Sequence, residues 1–200
     1  MKFKFLILFL FCFGVFAMAQ ENIIKNGEFD DGKKSWTVKK SDSAVLTTDY
    51  PADSLLSGAA SCRLAITQGG SQPSDIYVQQ LFSLQEGKLY TISFMAMADV
   101  DHKLQVWFQE TEVLQRVFWS SPELQLQNTP QHFGPFTFKC NVNAPIRMMF
   151  LVGGLDNVTV RLDSIIVTKE DRPGYVTIVD KFLKREHKFG ETTLPYRLCL

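Results

Sequence analysis

Residues 75–98 read DIYVQQLFSLQEGKLYTISFMAMA, with two β-rich stretches, 76–84 and 89–98, on either side of the polar break Gln85-Glu86-Gly87-Lys88. A glycine in so short a break supplies the positive φ of a tight turn, so the stretch reads as two consecutive strands. In the second, Tyr90, Ile92, Phe94 and Ala96 share one face and Thr91, Ser93, Met95 and Met97 the other. That alternation is the mark of a half-buried strand.

Outward from this pair the same grammar repeats. Residues 103–109, KLQVWFQ, alternate strictly, with Leu104, Val106 and Phe108 on one side and Gln105, Trp107 and Gln109 on the other. Residues 36–38, 44–47, 59–67, 113–120, 132–139, 146–152 and 157–167 read as further short strands, while 41–57 and 68–74 are polar and loop-like. Many short strands, frequent turns, no amphipathic helix of useful length and no internal repeat predict an all-β sandwich.

Composition narrows the class. Residues 1–19 carry Lys2 and Lys4, then a Phe- and Leu-rich run, then Ala17-Met18-Ala19, the pattern of a signal peptide cleaved before Gln20. This predicts a secreted or periplasmic protein with no membrane attachment after cleavage. Without Lys2 and Lys4, 19 of the 21 basic residues face 21 acidic ones, a formal charge of −2, so there is no basic field to attract nucleic acid. Cys62, Cys140 and Cys199 remain; Cys62 and Cys140 read either as a pair or as two small buried apolar residues.

Three blocks carry a resemblance. The first is the opening quoted above, with its two glutamines, its xxGK turn and YTISF. The second is residues 21–36, ENIIKNGEFDDGKKSW, with Asn22, Asn26, Gly27, Phe29, Gly32 and Trp36 in place and Asp30 where Glu is usual. The third is residues 157–167, NVTVRLDSIIV, keeping Thr159, Leu162, Asp163 and Ile165. Together these resemble the carbohydrate-binding modules of families 4, 9 and 22, although the tryptophan usual near Pro130 is missing. The resemblance spans residues 21–169 and implies a β-sandwich jelly roll of the galactose-binding-domain-like kind. The domain is set at residues 20–169.

Residues 170–200 stand apart. A boundary at 170–174 leads to residues 187–200, HKFGETTLPYRLCL, which resemble the first strand of an α/β-hydrolase esterase domain. The segment reads either as that truncated start or as an ordinary linker.

No G-x-S-x-G elbow occurs, the three histidines are scattered, and the carboxylate pairs Asp30/Asp31 and Glu110/Glu112 read as solvated edges, so no enzyme is expected in these 200 residues. Sugar binding fits better. Pyranose rings stack their C–H faces on aromatic side chains, and their hydroxyls need amide, carboxylate or guanidinium partners. Gln105, Trp107 and Gln109 alternate on one face in that way, and Tyr77, Gln79, Arg147 and Trp119 are further candidates; the alternative is that Trp107 and Trp119 pack under a loop or against the tail, and that Tyr77, Gln79 and Arg147 bind nothing. The resemblance also implies a structural calcium held by Asp30, the carbonyl of Glu28, and Asp163, where a hard cation would find oxygen ligands. Asp163 as a plain acceptor of backbone hydrogen bonds is the alternative.

The expected function is therefore non-catalytic binding of a plant cell-wall type polysaccharide or oligosaccharide, targeting an attached or partner glycan-degrading enzyme. A spacer sandwich without a sugar site and the N-terminal fragment of a secreted esterase are the rivals.

Overall fold

The computed structural model describes residues 21–53, 55–112 and 115–170, together with the backbone of two further strands, 182–189 and 192–199. The expected signal peptide lies outside the described residues. Eleven strands build two antiparallel sheets. These are β1 (Thr37–Lys40), β2 (Val45–Asp49), β3 (Cys62–Gln68), β4 (Ile76–Ser83), β5 (Leu89–Ala98), β6 (His102–Glu110), β7 (Val117–Ser120), β8 (Leu124–Leu126), β9 (Gln131–Lys139), β10 (Pro145–Leu151) and β11 (Val158–Lys169). The six-stranded sheet runs β1-β4-β10-β6-β7 with β8 also on β6, and the five-stranded sheet runs β2-β3-β11-β5-β9. The strands β12 (Phe182–Phe189) and β13 (Thr192–Cys199) pair with each other.

The inward rows close the sandwich. Ile76 and Val78 of β4, Leu104, Val106 and Phe108 of β6, and Ile146, Met148 and Phe150 of β10 are buried against Leu64, Ile92, Phe94, Phe138, Val160 and Leu162 from the other sheet. Rings interlock across the gap: Phe94 meets Phe150 edge-on at 5.0 Å, and Phe108 meets Phe138 at 4.5 Å. Each such fully buried side chain contributes roughly 1.5–3 kcal/mol by transfer from water. The alternation read in residues 89–98 and 103–109 is the burial pattern observed.

The break at residues 85–88 does more than reverse the chain. β4 and β5 do not pair; the turn, with Gly87 at φ +79°, carries the chain from one sheet to the other. Its backbone is held by Gly87 N–H donating to the Cys140 carbonyl at 2.7 Å. Consecutive strands therefore face each other across the core, and the outer face of β4 belongs to one side of the molecule only.

The block at 21–36 is a clasp. Asn22 receives the Val167 N–H and donates to the Ile165 carbonyl, both at 2.9 Å, while Ile165 N–H donates to the Gly27 carbonyl. A Cβ on Gly27 would stand 2.2 Å from the Ile165 carbonyl oxygen, so only glycine allows this approach. The Asn26 side chain donates to Gly32 and Lys34 carbonyls, and the Trp36 indole donates to the Asn26 carbonyl. These motif residues tie the chain's opening to the closing strand β11.

Cys62 and Cys140 are both buried free thiols, which resolves the two sequence readings in favour of small apolar residues. Burial pushes the Cys62 thiol up to about 12. The predicted strand at 113–120 shortens to β7, because Gln115 turns at φ +44° and only Val117–Ser120 pair; residues 113–114 lie outside the described residues.

Candidate glycan-binding face

Alternation on four neighbouring strands fixes what stands on the outside of the six-stranded sheet. The register aligns Thr37, Gln79, Met149, Trp107 and Ser120 in one row across β1, β4, β10, β6 and β7. On one side of it lie Tyr77, Leu151 and Gln105; on the other lie Leu81, Arg147, Gln109 and Val117. Strand spacing of about 4.8 Å makes the central row roughly 19 Å long. Six of the seven sugar-binding candidates, Trp107, Gln105, Gln109, Tyr77, Gln79 and Arg147, therefore share one face.

Trp107 sits at the centre of this face, half-buried, with its ring held in place. Its indole N–H donates to Gln105 Oε1 at 2.9 Å, and the Gln105 amide donates to the Ser121 carbonyl at 3.0 Å. A fixed ring loses little entropy when a sugar stacks on it. Around it Met149, Leu151 and Gln79 point outward by register yet are nearly buried. Gln109 donates to the Gln115 carbonyl, and Arg147 Nη2 donates to Gln115 Oε1 at 2.9 Å.

Two buried polar atoms on this face have no partner among the described residues, Gln79 Oε1 and Arg147 Nε. Leaving such a group unpaired costs about 1–3 kcal/mol, and most native interiors avoid it. On a face lined with amides and an indole, ligand groups are the partners that would offset that cost.

Trp119 is not on this face. Trp119 pairs with the inward-facing Phe108, and its ring packs inward on Phe138 at 4.9 Å and Phe108 at 5.4 Å. Trp119 is thus half-buried against the core, on the side of the sheet away from Trp107, and does not join the sugar-binding candidates of the outer face. Met149, Leu151 and Leu81 belong to the face although only Arg147 of their neighbourhood was singled out from sequence. Parity along 146–152 signals Met149 and Leu151; Gln115 reaches in from a turn that no local pattern announces.

The expected metal ligands divide. Asp30 is exposed, beyond the buried Phe29 whose φ is +56°. The acid that approaches Asp163 is Glu28, and it does so with its carboxylate instead of its carbonyl: Glu28 Oε2 and Asp163 Oδ2 lie 3.1 and 3.4 Å from the point a Gly58 Cβ would occupy. Ser164 Oγ donates to Glu28 Oε2 at 2.9 Å, and Ser57 Oγ donates to Asp163 Oδ2. Asp163 also accepts the N–H groups of Gly58 at 3.0 Å and Ser164 at 2.7 Å. No cluster of three or more His, Cys, Asp or Glu side chains occurs among the described residues. Two facing carboxylates with serine hydroxyls nearby remain an all-oxygen donor set of the type calcium takes.

Among the described residues neither His102 nor His132 hydrogen-bonds a serine, threonine or cysteine side chain. His102 opens β6 and is buried, its Nε2 2.9 Å from the Val152 carbonyl, and burial lowers its pKa below the ordinary value. His132 lies on β9 opposite Met95. Among the described residues no helix is long and apolar enough to cross a membrane.

Known proteins agree with this architecture. Residues 21–115 match the CBM_4_9 family, described as a carbohydrate binding domain. Among solved structures, one titled "CBM4 structure and function" is 22% identical, covers 74% of this chain and 99% of its own, and superposes with a TM-score of 0.63. The CBM22-1 xylan-binding domain from Paenibacillus barcinonensis is 10% identical over 76% of this chain and 96% of its own, with a TM-score of 0.58. The N-terminal cellulose-binding domain of Cellulomonas fimi β-1,4-glucanase C is 19% identical over 75% and 97%, with a TM-score of 0.56. These likenesses show the two-sheet fold. No curated protein matches the chain. The esterase-like reading of residues 187–200 finds no support: the family match stops at residue 115. Sequence block, clasp and sandwich thus converge: residues 21–115 match the CBM_4_9 carbohydrate binding domain, and the chain has the all-β two-sheet sandwich of such modules.

Proposed function

We propose that this protein binds a plant cell-wall type polysaccharide or oligosaccharide on the outer face of its six-stranded sheet, and thereby holds an attached or partner glycan-degrading enzyme on its substrate. One observation carries this reading: the register places the pinned Trp107 among Gln79, Gln105, Gln109, Arg147 and Tyr77. An indole offers the stacking surface and the amides offer the hydroxyl partners that a pyranose needs. The xylan and cellulose named for the similar structures point to β-linked wall glycans as the first ligands to try. Raising local concentration by tethering needs no catalytic group in this chain. Secretion or periplasmic export, expected from residues 1–19, puts it where such glycans are.

The test is affinity gel electrophoresis of the chain through soluble xylan, β-glucan and mannan, with Trp107→Ala alongside. Retardation by one glycan class, lost in a variant that keeps its melting temperature, is the expected result. A folded chain that no glycan retards would instead make this a spacer sandwich.

A structural calcium is part of the proposal, held by Glu28 and Asp163 with the adjacent serine hydroxyls. The ion would neutralise two facing carboxylates and tie the segment before β3 to β11. Millimolar calcium is expected to raise the melting temperature, by about 2.7 kcal/mol of stability at a hundredfold excess over Kd. Glu28→Gln should erase the increment, and an unchanged melting temperature in calcium and in chelator would contradict the assignment.

A further inference from the structure

We propose that the glycan carries carboxylates: the face is built to take a uronic-acid sugar on Arg147. This rests on the binding reading above and adds to it the chemistry of the ligand.

Arg147 stands on β10 between Leu81 and Gln109, half-buried, and its one partner is the neutral Gln115 Oε1. Its Nε is buried without any partner. A guanidinium withdrawn from water is ordinarily paired with an anion, because its desolvation is costly and its fork of donors fits a carboxylate in bidentate fashion. The rest of the sandwich follows that rule. Arg161, more deeply buried, has Asp53 at 2.7 Å, and even the exposed Arg116 has Glu110 at 3.0 Å. Arg147 has no carboxylate within reach among the described residues.

The face around it supplies none. No outward position of β1, β4, β6 or β10 carries Asp or Glu; of the acids at its margins, Glu110 is engaged with Arg116, Glu123 with Lys103 and Asp75 with the N–H groups of Ser71 and Gln72, and Glu112, exposed on the turn before Gln115, makes no ion pair with Arg147. Lys39, opposite Tyr77, adds a second positive charge to the same face. One strand away, Gln79 Oε1 is a buried acceptor without a donor. A uronate meets both vacancies, since its carboxylate accepts from the Arg147 fork as Gln115 gives way, and a ring hydroxyl donates to Gln79. A neutral sugar can satisfy the glutamine but leaves the cation unpaired.

The experiment compares each uronate polymer with its own neutral form. Binding of the full chain to glucuronoxylan, polygalacturonate and alginate is measured by titration calorimetry in native and carboxyl-reduced preparations, with unsubstituted xylan and β-glucan as neutral ligands. The expected result is at least tenfold tighter binding to one native uronate polymer than to its reduced form, weakening with salt. Arg147→Gln should abolish that difference between native and reduced forms, and Arg147→Lys should restore part of it. Equal binding of native and reduced forms, or binding confined to the neutral glycans, would overturn the uronate assignment while leaving glycan binding intact. Failure to bind any glycan of either kind would overturn the binding reading and this inference together. The comparison of native with reduced polymer requires no variant, so it decides the question even if substitution at Arg147 disturbs folding.

Discussion

The two outer faces of the sandwich bury polar groups in opposite ways. On the five-stranded sheet the segment before β3 lies across β11 and answers every withdrawn charge: Asp53 and Ser61 meet Arg161, and the Ser57, Gly58 and Ser164 N–H groups meet Asp163. On the six-stranded sheet Gln79 and Arg147 each keep a buried atom without a partner, beside a tryptophan whose ring is held in place but not covered. A satisfied polar cluster stabilises a fold, whereas an unsatisfied one beside an aromatic surface waits for a ligand. The face we propose for glycan binding is thus marked by its missing hydrogen bonds.

The contrast can be broken from either side. Asp163→Ala strips the acceptor from three backbone N–H groups at a site only 1% exposed, and should cost about 3–5 kcal/mol in urea unfolding. A loss below about 1 kcal/mol would show that the covered face is not held by these contacts. Next in size comes the tryptophan pair. Trp119→Ala leaves a gap against Phe108 and Phe138 and should lower stability by about 3 kcal/mol with glycan binding kept. Trp107→Ala should do the reverse, abolishing binding while shifting stability by about 1 kcal/mol or less. Equal effects of the two on binding would erase the distinction between core and face.

The smallest effect is a pH dependence. His102 is buried and its pKa is lowered, so the unfolded chain binds a proton where the folded chain does not. Its stabilising contribution is present above the ordinary histidine value of about 6.5 and is lost as pH falls from there toward the lowered folded value, by at most about 1.4 kcal/mol per pH unit. His102→Gln should flatten that slope between pH 7 and 5; an unchanged slope would place the titration elsewhere.

Local patterns in the sequence carried much of this and stopped at register. Period-two alternation was enough to assign Tyr90 through Ala96 to the core and Gln105, Trp107 and Gln109 to one outer face, because the pleat alternates side chains whatever the partner strand. The clasp motif was readable because Asn22, Gly27 and Trp36 act within a fixed loop geometry. Trp119 was ambiguous because its facing depends on its pairing with Phe108 across β6 and β7, a tertiary property with no local signal. That the Glu28 side chain, and not Asp30, lies near Asp163 was hidden for a similar reason: the positive φ at Phe29 directs neighbouring side chains differently from an extended strand. The crossing of the chain from sheet to sheet at Gly87 was likewise hidden, since the same turn chemistry serves a hairpin.

Chemical-shift mapping by NMR, titrating the chain with an oligosaccharide of the glycan class that retards it, tests the central claim most directly. The account predicts that the Trp107 indole N–H and the side-chain amides of Gln79, Gln105 and Gln109 move together, while Trp119 and the outer positions of β3, β5 and β11 stay still. Shifts concentrated on β3, β5 and β11, with the Trp107 indole unmoved, would contradict it.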